Sequence, residues 1–344
     1  MGLFGPDILM IDALGLFEVA LLAGTAGLSW MATGMVLHYL RRNAILDHPN
    51  ERSSHKIPTP RGGGWGIMLA LLPAMALIGW IVGSFDRVLP AFAGAVGLMA
   101  ISWMDDRRSL PPLLRFGAQI AAVAIGLTAL TSESPVFQGW LPFWLDRVAA
   151  AVCWLWFVNL FNFMDGIDGI AGAEAVAVAA GYALVAAVAG AGNPLEQLAL
   201  VVAAATAGYL YWNWHPARVF MGDTGSIALG FLLGWLMIDL ACRGLWAAAG
   251  ILPLYFIADA TLTLLKRLAR GERLWQPHRQ HAYQRAVLGG TRPSEVVLRT
   301  AVANAVLIAL AVASIWHPVL ALGAAAAVVA ALLANLEGLA RARA

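Results

Sequence analysis

An all-α, polytopic membrane protein with about eleven transmembrane helices, ten being the alternative count, is the fold this sequence predicts. Of its 344 residues, 60% are hydrophobic and only 12% charged, where soluble domains run nearer a quarter charged. The apolar residues also fall in long blocks, and about 20 of them make a helix that crosses a hydrocarbon core of about 30 Å.

Taken in order, the apolar blocks place spans at 14–40, 64–83, 88–103, 113–131, 147–161, 170–190, 196–212, 224–241, 245–265, 299–316 and 318–336. The first is expected to remain as a span and not be cleaved, because Asp7 and Asp12 precede it and no Lys or Arg comes before Arg41. The block 170–190 is rich in Ala and Gly, which suits close helix packing. Only His317-Pro318 separates the last two blocks, so they read as a tight hairpin or as one broken segment. Cys153 and Cys242 make no disulfide framework. With no internal repeat and no low-complexity linker, residues 1–344 read as a single membrane-embedded domain.

Eleven spans put loops 41–63, 104–112, 162–169, 213–223, 266–298 and the C-terminal tail on one side. With the flanking Arg115 and Arg299, that side holds 19 of the 22 Lys and Arg; Arg87, Arg147 and Arg243 are on the other. By the positive-inside rule these loops are cytoplasmic, the N-terminus outside and the C-terminus inside. Asp105, Asp106, Asp165, Asp168, Asp223, His278 and His281 all fall in the same loops. A channel or transporter should carry its ionisable groups near the midplane. Their gathering at one face suits an enzyme that joins a water-soluble substrate to a lipid head group.

In the first loop, Arg52, His55, Lys56 and Arg61 precede Gly62-Gly63-Gly64. It reads as a phosphate-binding loop, with glycine N–H groups approaching an anion, or equally as an ordinary basic loop before a glycine turn. Asp105-Asp106, at the foot of the third span, could hold Mg²⁺, a hard cation that prefers oxygen ligands, or supply a base; a hydrated helix end is the plainer alternative. Asn159, Asn162, Asp165 and Asp168 follow, each Asp succeeded by Gly. Capping of the next helix would account for Asp168 but leaves Asp165 unexplained, and Asn162 offers an amide oxygen to a metal. Asn213 and Phe220 lead into Asp223, which opens the eighth span, where an anion or a cap is at home. His278, Arg279 and His281 have no cysteine or third histidine nearby, so structural zinc does not fit; they suit a diphosphate or sugar, or a solvated basic face. Asp259, inside a span but near its loop end, is a supporting candidate, while His38, Glu174 and Asp239 read as span-end residues.

Four of these pieces resemble, in order, the bacterial polyprenyl-phosphate N-acetylhexosamine-1-phosphate transferases of glycosyltransferase family 4. They are Asp105-Asp106, the run from Asn162 to Gly169, the run from Pro216 to Ser226, and Pro277 to His281. The stretches from Pro49 to His55 and from Pro58 to Gly64 resemble the O-antigen-initiating subgroup. The consecutive histidines usual in the lipid I synthase are replaced by His278-Arg279-Gln280-His281.

The resemblance implies a UDP-N-acetylhexosamine donor, 6-deoxy forms included, an undecaprenyl phosphate acceptor, release of UMP, and Mg²⁺ as cofactor with Mn²⁺ an admissible substitute. It makes Asp223 the main metal ligand and Asn162 a second. Asp105 and Asp106 would hold or deprotonate the acceptor phosphate, and Asp168 is counted with them as catalytic. Asp165, Asp168, Asn213 and Phe220 would face the nucleotide, and His278, Arg279 and His281 the diphosphate or sugar; Lys56, Arg61 and Asn159 join the substrate-binding set. The expected setting is the bacterial inner membrane, with the site on the cytoplasmic face, no nucleic-acid partner, and a homodimer among the compatible assemblies. Lipid I synthesis is the alternative activity, and nucleotide-sugar or lipid transport the alternative of another class.

Overall fold

The computed structural model describes residues 6–49, 57–130, 134–190, 193–273, 276 and 278–342, with the backbone course alone for 6–14, 193–195 and 342. Helices dominate: α1 (Pro6–Arg42), α2 (Gly64–Ile81), α3 (Phe85–Arg108), α4 (Pro112–Leu127), α5 (Phe143–Met164), α6 (Ile170–Ala189), α7 (Asn193–Asn213) and α8 (Asp223–Cys242). There follow α9 (Trp246–Ile251), α10 (Leu254–Ala269), α11 (Ala282–Leu288), α12 (Pro293–Ala313) and α13 (Pro318–Ala342). The described strands are β1 (Leu46–Asp47) and β2 (Thr59–Pro60), paired antiparallel with Leu46 opposite Pro60.

Among the described residues, eight helices are long and apolar enough to cross a membrane: α1 from Gly15, α2, α3, α5, α6, α8, α12 and α13 to Arg341. The chain is a polytopic membrane protein. Each of the eleven predicted blocks coincides with helix, but α4 is shorter, and the block 245–265 is divided between α9 and α10. Pro253 explains the division, since it lacks the N–H that would continue the first helix and its ring obstructs the preceding turn. His317-Pro318 proves to be a hairpin corner, with α12 and α13 packed on each other.

The bundle is organised around α8, the most buried of the eight, against which α3 and α5 pack. Trp154 of α5 stacks on Phe231 at 4.8 Å between ring centres, and its indole N–H donates to the Phe231 carbonyl at 2.9 Å. On a second side α7 lies among α1, α2 and α6, and α12 closes against α6. There Glu174, near the start of α6 as expected, is buried and accepts a 2.7 Å hydrogen bond from Asn304 of α12. An ionisable side chain is costly at that depth and needs such a partner.

Large apolar side chains cover the outside, as a lipid-facing surface requires. Trp80, Trp140, Trp144 and Trp316, at 62–75% exposure, cluster near the ends of α2 and α12 and the start of α5. Exposed tryptophans at helix ends mark a membrane–water interface. The opposite end of α5 leads to the loop that carries Asp165 and Asp168, and the start of α2 follows the loop that carries Arg61.

Candidate active site

Two loops separated by about 160 residues of chain are joined by their backbones. Phe220 N–H donates to Pro60 O at 2.8 Å, Gly62 and Gly63 N–H both donate to Phe220 O, and Gly64 N–H donates to Met221 O at 2.9 Å. The glycine N–H groups are therefore engaged with carbonyls, and the phosphate cradle suggested by the sequence is not formed by them. The glycines serve close approach instead. A Cβ on Gly64 would lie 2.2 Å from the Cα of Gly225, so α2 and α8 touch at their N-terminal ends with no room for a side chain.

That junction aims Arg61 at Asp223, with guanidinium Nη2 to carboxylate Oδ1 at 2.6 Å. Asn162, at the end of α5, donates from Nδ2 to Ser226 Oγ at 2.7 Å and to Asp223 Oδ1 at 3.3 Å. Asp223 is the first residue of α8, the cap position being Gly222, and no side-chain cap bond forms. Capping thus does not explain Asp223, though its charge is well placed beside the positive end of the helix dipole.

Asp106 joins from the end of α3, facing Arg61, Asp223 and Asp105 and accepting a hydrogen bond from Thr224. Asp105 turns the other way: Arg115 donates to Oδ2 at 2.8 Å and Leu110 N–H to Oδ1 at 2.7 Å. Both carboxylates sit at a helix C-terminus, which the dipole disfavours, so these partners offset a real cost. Asp165 follows directly after α5. Burial is the main force pushing its carboxyl up to about 7; Arg61 opposes the rise and the Asp223 charge adds to it. Arg61 itself is raised: burial works against its charge, and the carboxylates of Asp223, Asp106 and Asp47 outweigh it.

Asp168 is not a cap either, since α6 is capped by Gly169 with no side-chain bond. Its Oδ2 lies 2.6 Å from His215 Nδ1 and accepts the Ala217 N–H at 3.1 Å. Buried Asn213 accepts from Gly169 N–H and donates to Val219 O, each at 3.0 Å. It ties the 165–169 loop to the 214–222 loop. Asn159 lies deeper and donates to Gln119 of α4 at 2.8 Å. Phe220 has a half-buried ring and both backbone polar groups engaged. Lys56, with Arg52 and His55, lies outside the described residues.

The histidines form a neighbouring patch. His278 and His281 rings are 4.9 Å apart, and buried His281 stacks on Tyr283 at 5.7 Å. Asp259 anchors this loop by accepting the Ala282 N–H at 2.9 Å, and its Oδ1 lies 3.7 Å from His281 Nδ1. Tyr283 links the patch to the acidic loop by donating to Phe163 O at 3.1 Å. Burial, helped by His281 and Arg267, lowers His278 to about 4, so it is neutral at pH 7 and offers one N–H, not a charge. Arg279 lines a cleft of about 420 Å³ with residues of α10, α11 and α13, apart from the Asp223 cluster. Sequence reasoning gave no role to His215, Thr224, Ser226 or Tyr283; Thr224 and Ser226 lie inside the run from Pro216 to Ser226, and His215 directly precedes it.

Comparison with known proteins bears on what such a cluster does. The family model for glycosyl transferase family 4 matches residues 88–241, from α3 through almost all of α8. A phospho-N-acetylmuramoyl-pentapeptide-transferase of Synechococcus elongatus is 30% identical over 77% of this chain and 74% of its own length. The chain belongs to the polyprenyl-phosphate sugar-1-phosphate transferases. The decaprenyl-phosphate N-acetylglucosaminephosphotransferase of Mycobacterium tuberculosis is 28% identical over 90% of this chain and 83% of its own. The phospho-N-acetylmuramoyl-pentapeptide-transferase of Chlamydia pneumoniae is 28% identical over 88% and 96%. As a transferase of this family, the chain catalyses transfer of a sugar 1-phosphate, with or without peptide, onto a polyprenyl phosphate. Relatives of both donor classes match at similar identity, so the comparisons establish the family at the level common to both.

Proposed function

We propose that this transferase moves an N-acetylhexosamine 1-phosphate, 6-deoxy forms included, from a UDP-sugar to undecaprenyl phosphate. UMP leaves, and the product begins an O-antigen or another cell-surface polysaccharide. The observation that carries this reading is the convergence on Asp223 of Arg61, of Asp106, and of Asn162 with Asp165, from three separate segments of the chain. Phosphoryl transfer asks a protein mainly for positioning and charge neutralisation, and this cluster offers both. The membrane is the bacterial inner membrane crossed by eleven spans, with the acidic loops on the cytoplasmic face.

Among the described residues, no three of Asp, Glu, His and Cys gather closely enough to cage a metal. Mg²⁺ fits nonetheless, because it commonly takes one or two carboxylates and completes its shell with water and substrate phosphates. Asp223 would hold it, with Asn162 as second ligand once its amide is turned to present oxygen. Bound there, Mg²⁺ or Mn²⁺ supplies charge neutralisation for the donor diphosphate. Arg61 adds positive charge beside the same oxygens. Asp105 and Asp106 orient the acceptor phosphate, whose second ionisation near neutrality makes a strong base unnecessary. An acceptor oxygen attacks the β-phosphorus in line as the bond to UMP breaks. Asp165, Asp168 and Phe220 line the nucleotide side, Asn213 positions that loop, and His278 and His281 donate to the diphosphate or sugar.

The N-acetylhexosamine donor is preferred because the loop at His278 and His281 lacks a histidine run. Lipid I synthesis is the second reading, favoured by the pentapeptide-transferase relatives. Purified protein incubated with undecaprenyl phosphate and a panel of UDP-sugars, with UMP release as readout, separates them. The expected result is graded turnover among UDP-N-acetylhexosamines and near-silence with UDP-MurNAc-pentapeptide. Comparable UMP release from the pentapeptide donor would overturn the proposal.

A further inference from the structure

Between α10 and α13, closed at one end by the start of α11, lies the cleft of about 420 Å³ already noted. Its lining contains none of Asp105, Asp106, Asp165 or Asp223. Its charge is unbalanced. Lys266, Arg285 and Arg341 converge on the single carboxylate of Glu337, at 3.2, 3.7 and 3.8 Å. Arg270 lines the same cleft and is paired elsewhere, with Glu272 at 3.6 Å. Asp259 also lines the cleft, so two carboxylates face the four lining cations Lys266, Arg270, Arg279 and Arg285, a positive surplus that an anion would relieve.

The surroundings say what kind of anion. Leu262 lines the cleft, and with Leu265 and Leu268 on the adjoining turns of α10 it forms an apolar stretch in which each is 44–58% exposed. A small soluble anion has no use for that apolar flank. A molecule with a phosphate head and acyl chains satisfies both, its head among the cations and its chains along α10. Basic pockets between transmembrane helices are suited to acidic head groups. The polyprenyl phosphate acceptor has the same general chemistry, but its phosphate must reach the acidic cluster, with which this cleft shares no residue.

We propose that this cleft is a binding site for an anionic phospholipid of the surrounding leaflet, separate from the site of transfer. Lys266 and Arg285 hold the phosphodiester, and Glu337 sets the affinity by competing for the same cations.

The test uses the full-length protein in neutral detergent, titrated with phosphatidylglycerol and followed by thermal unfolding and by native mass spectrometry of retained lipid. Phosphatidylglycerol is expected to raise the unfolding temperature and to be retained, while phosphatidylcholine and inorganic phosphate do neither. Loss of two phosphate contacts in the double variant K266Q/R285Q should raise the phosphatidylglycerol concentration needed by roughly tenfold or more. E337Q should lower that concentration, a change opposite in sign, which carries the test alone if the double variant fails to fold. Equal effects of phosphatidylcholine or of inorganic phosphate would overturn the proposal. So would a wild-type titration from the double variant, or weaker lipid retention by E337Q. Displacement of retained phosphatidylglycerol by equimolar undecaprenyl phosphate would reassign the cleft to the acceptor and overturn it equally.

Discussion

Asp223 has neighbours of two kinds, a guanidinium at 2.6 Å and an amide at 3.3 Å, and its proposed work depends on its charge. Replacing it with Asn keeps the shape but removes the attraction for Arg61 and for a hard cation. Asp223→Asn should therefore lower the UMP-release rate by more than about tenfold, equivalent to about 1.4 kcal/mol of barrier. A variant with unchanged thermal unfolding that turns over faster than this removes Asp223 from the metal role. Asp165 makes a different prediction, about stability. Its carboxyl is pushed from 3.8 up to about 7. Between those values the folded chain keeps a proton that the unfolded chain has released, so its contribution to stability is lost as pH rises through the window. In the presence of a chelator, Asp165→Asn should melt above the wild type at pH 8, with the difference shrinking towards pH 4. A constant difference across that range would show that Asp165 titrates normally. Sequence alone distinguished neither behaviour, because both follow from which residues surround a carboxylate and not from its neighbours in the chain.

At the level of helices, what the sequence predicted well was apolar length, and what it missed was contact. Every predicted block coincides with helix because hydrophobic runs of that length have few other stable conformations in lipid. Capping was an alternative reading for Asp168 and Asp223, and both helices turn out to be capped by the adjacent glycine. A capping residue and a residue one place away look alike in sequence. The Gly62-Gly63-Gly64 run was legible as special but not as a docking point, since its partner at Gly225 lies far along the chain. Gly64→Ala tests that contact. The added methyl would sit 2.2 Å from a backbone atom, which no rotamer change relieves, so a loss of about 2–3 kcal/mol or more is expected. Gly97→Ala, with nothing within 4 Å, should be close to neutral by the same measurement, chaperone-free thermal unfolding in detergent. Equal effects of the two substitutions would mean that α2 and α8 are not in direct backbone contact.

For the whole molecule, the asymmetry of basic residues, 19 of 22 on one side, makes a topological prediction. In a background lacking Cys153 and Cys242, an impermeant thiol reagent added outside intact cells should modify Arg87→Cys and spare Arg292→Cys. Labelling of Arg292→Cys alone would invert the proposed orientation. Composition made the membrane class plain, and the ordered motifs of Asp105, Asp165 and Asp223 pointed to the cluster. Neither revealed that Asp105 is held by Arg115, that Asp168 is paired with His215, or that Arg61 reaches Asp223. Those are products of tertiary folding, in which residues distant in sequence meet only after the helices have packed. The seam between the Pro60–Gly64 and Phe220–Gly225 segments bears on how such a protein can diverge. A hybrid that took its first third from one relative and the remainder from another would bring together two loop backbones that had never been fitted to each other, at the one place where neither tolerates a side chain. Natural recombination within this family should therefore exchange the two loops together or leave both in place, so that the site passes between lineages as a pair.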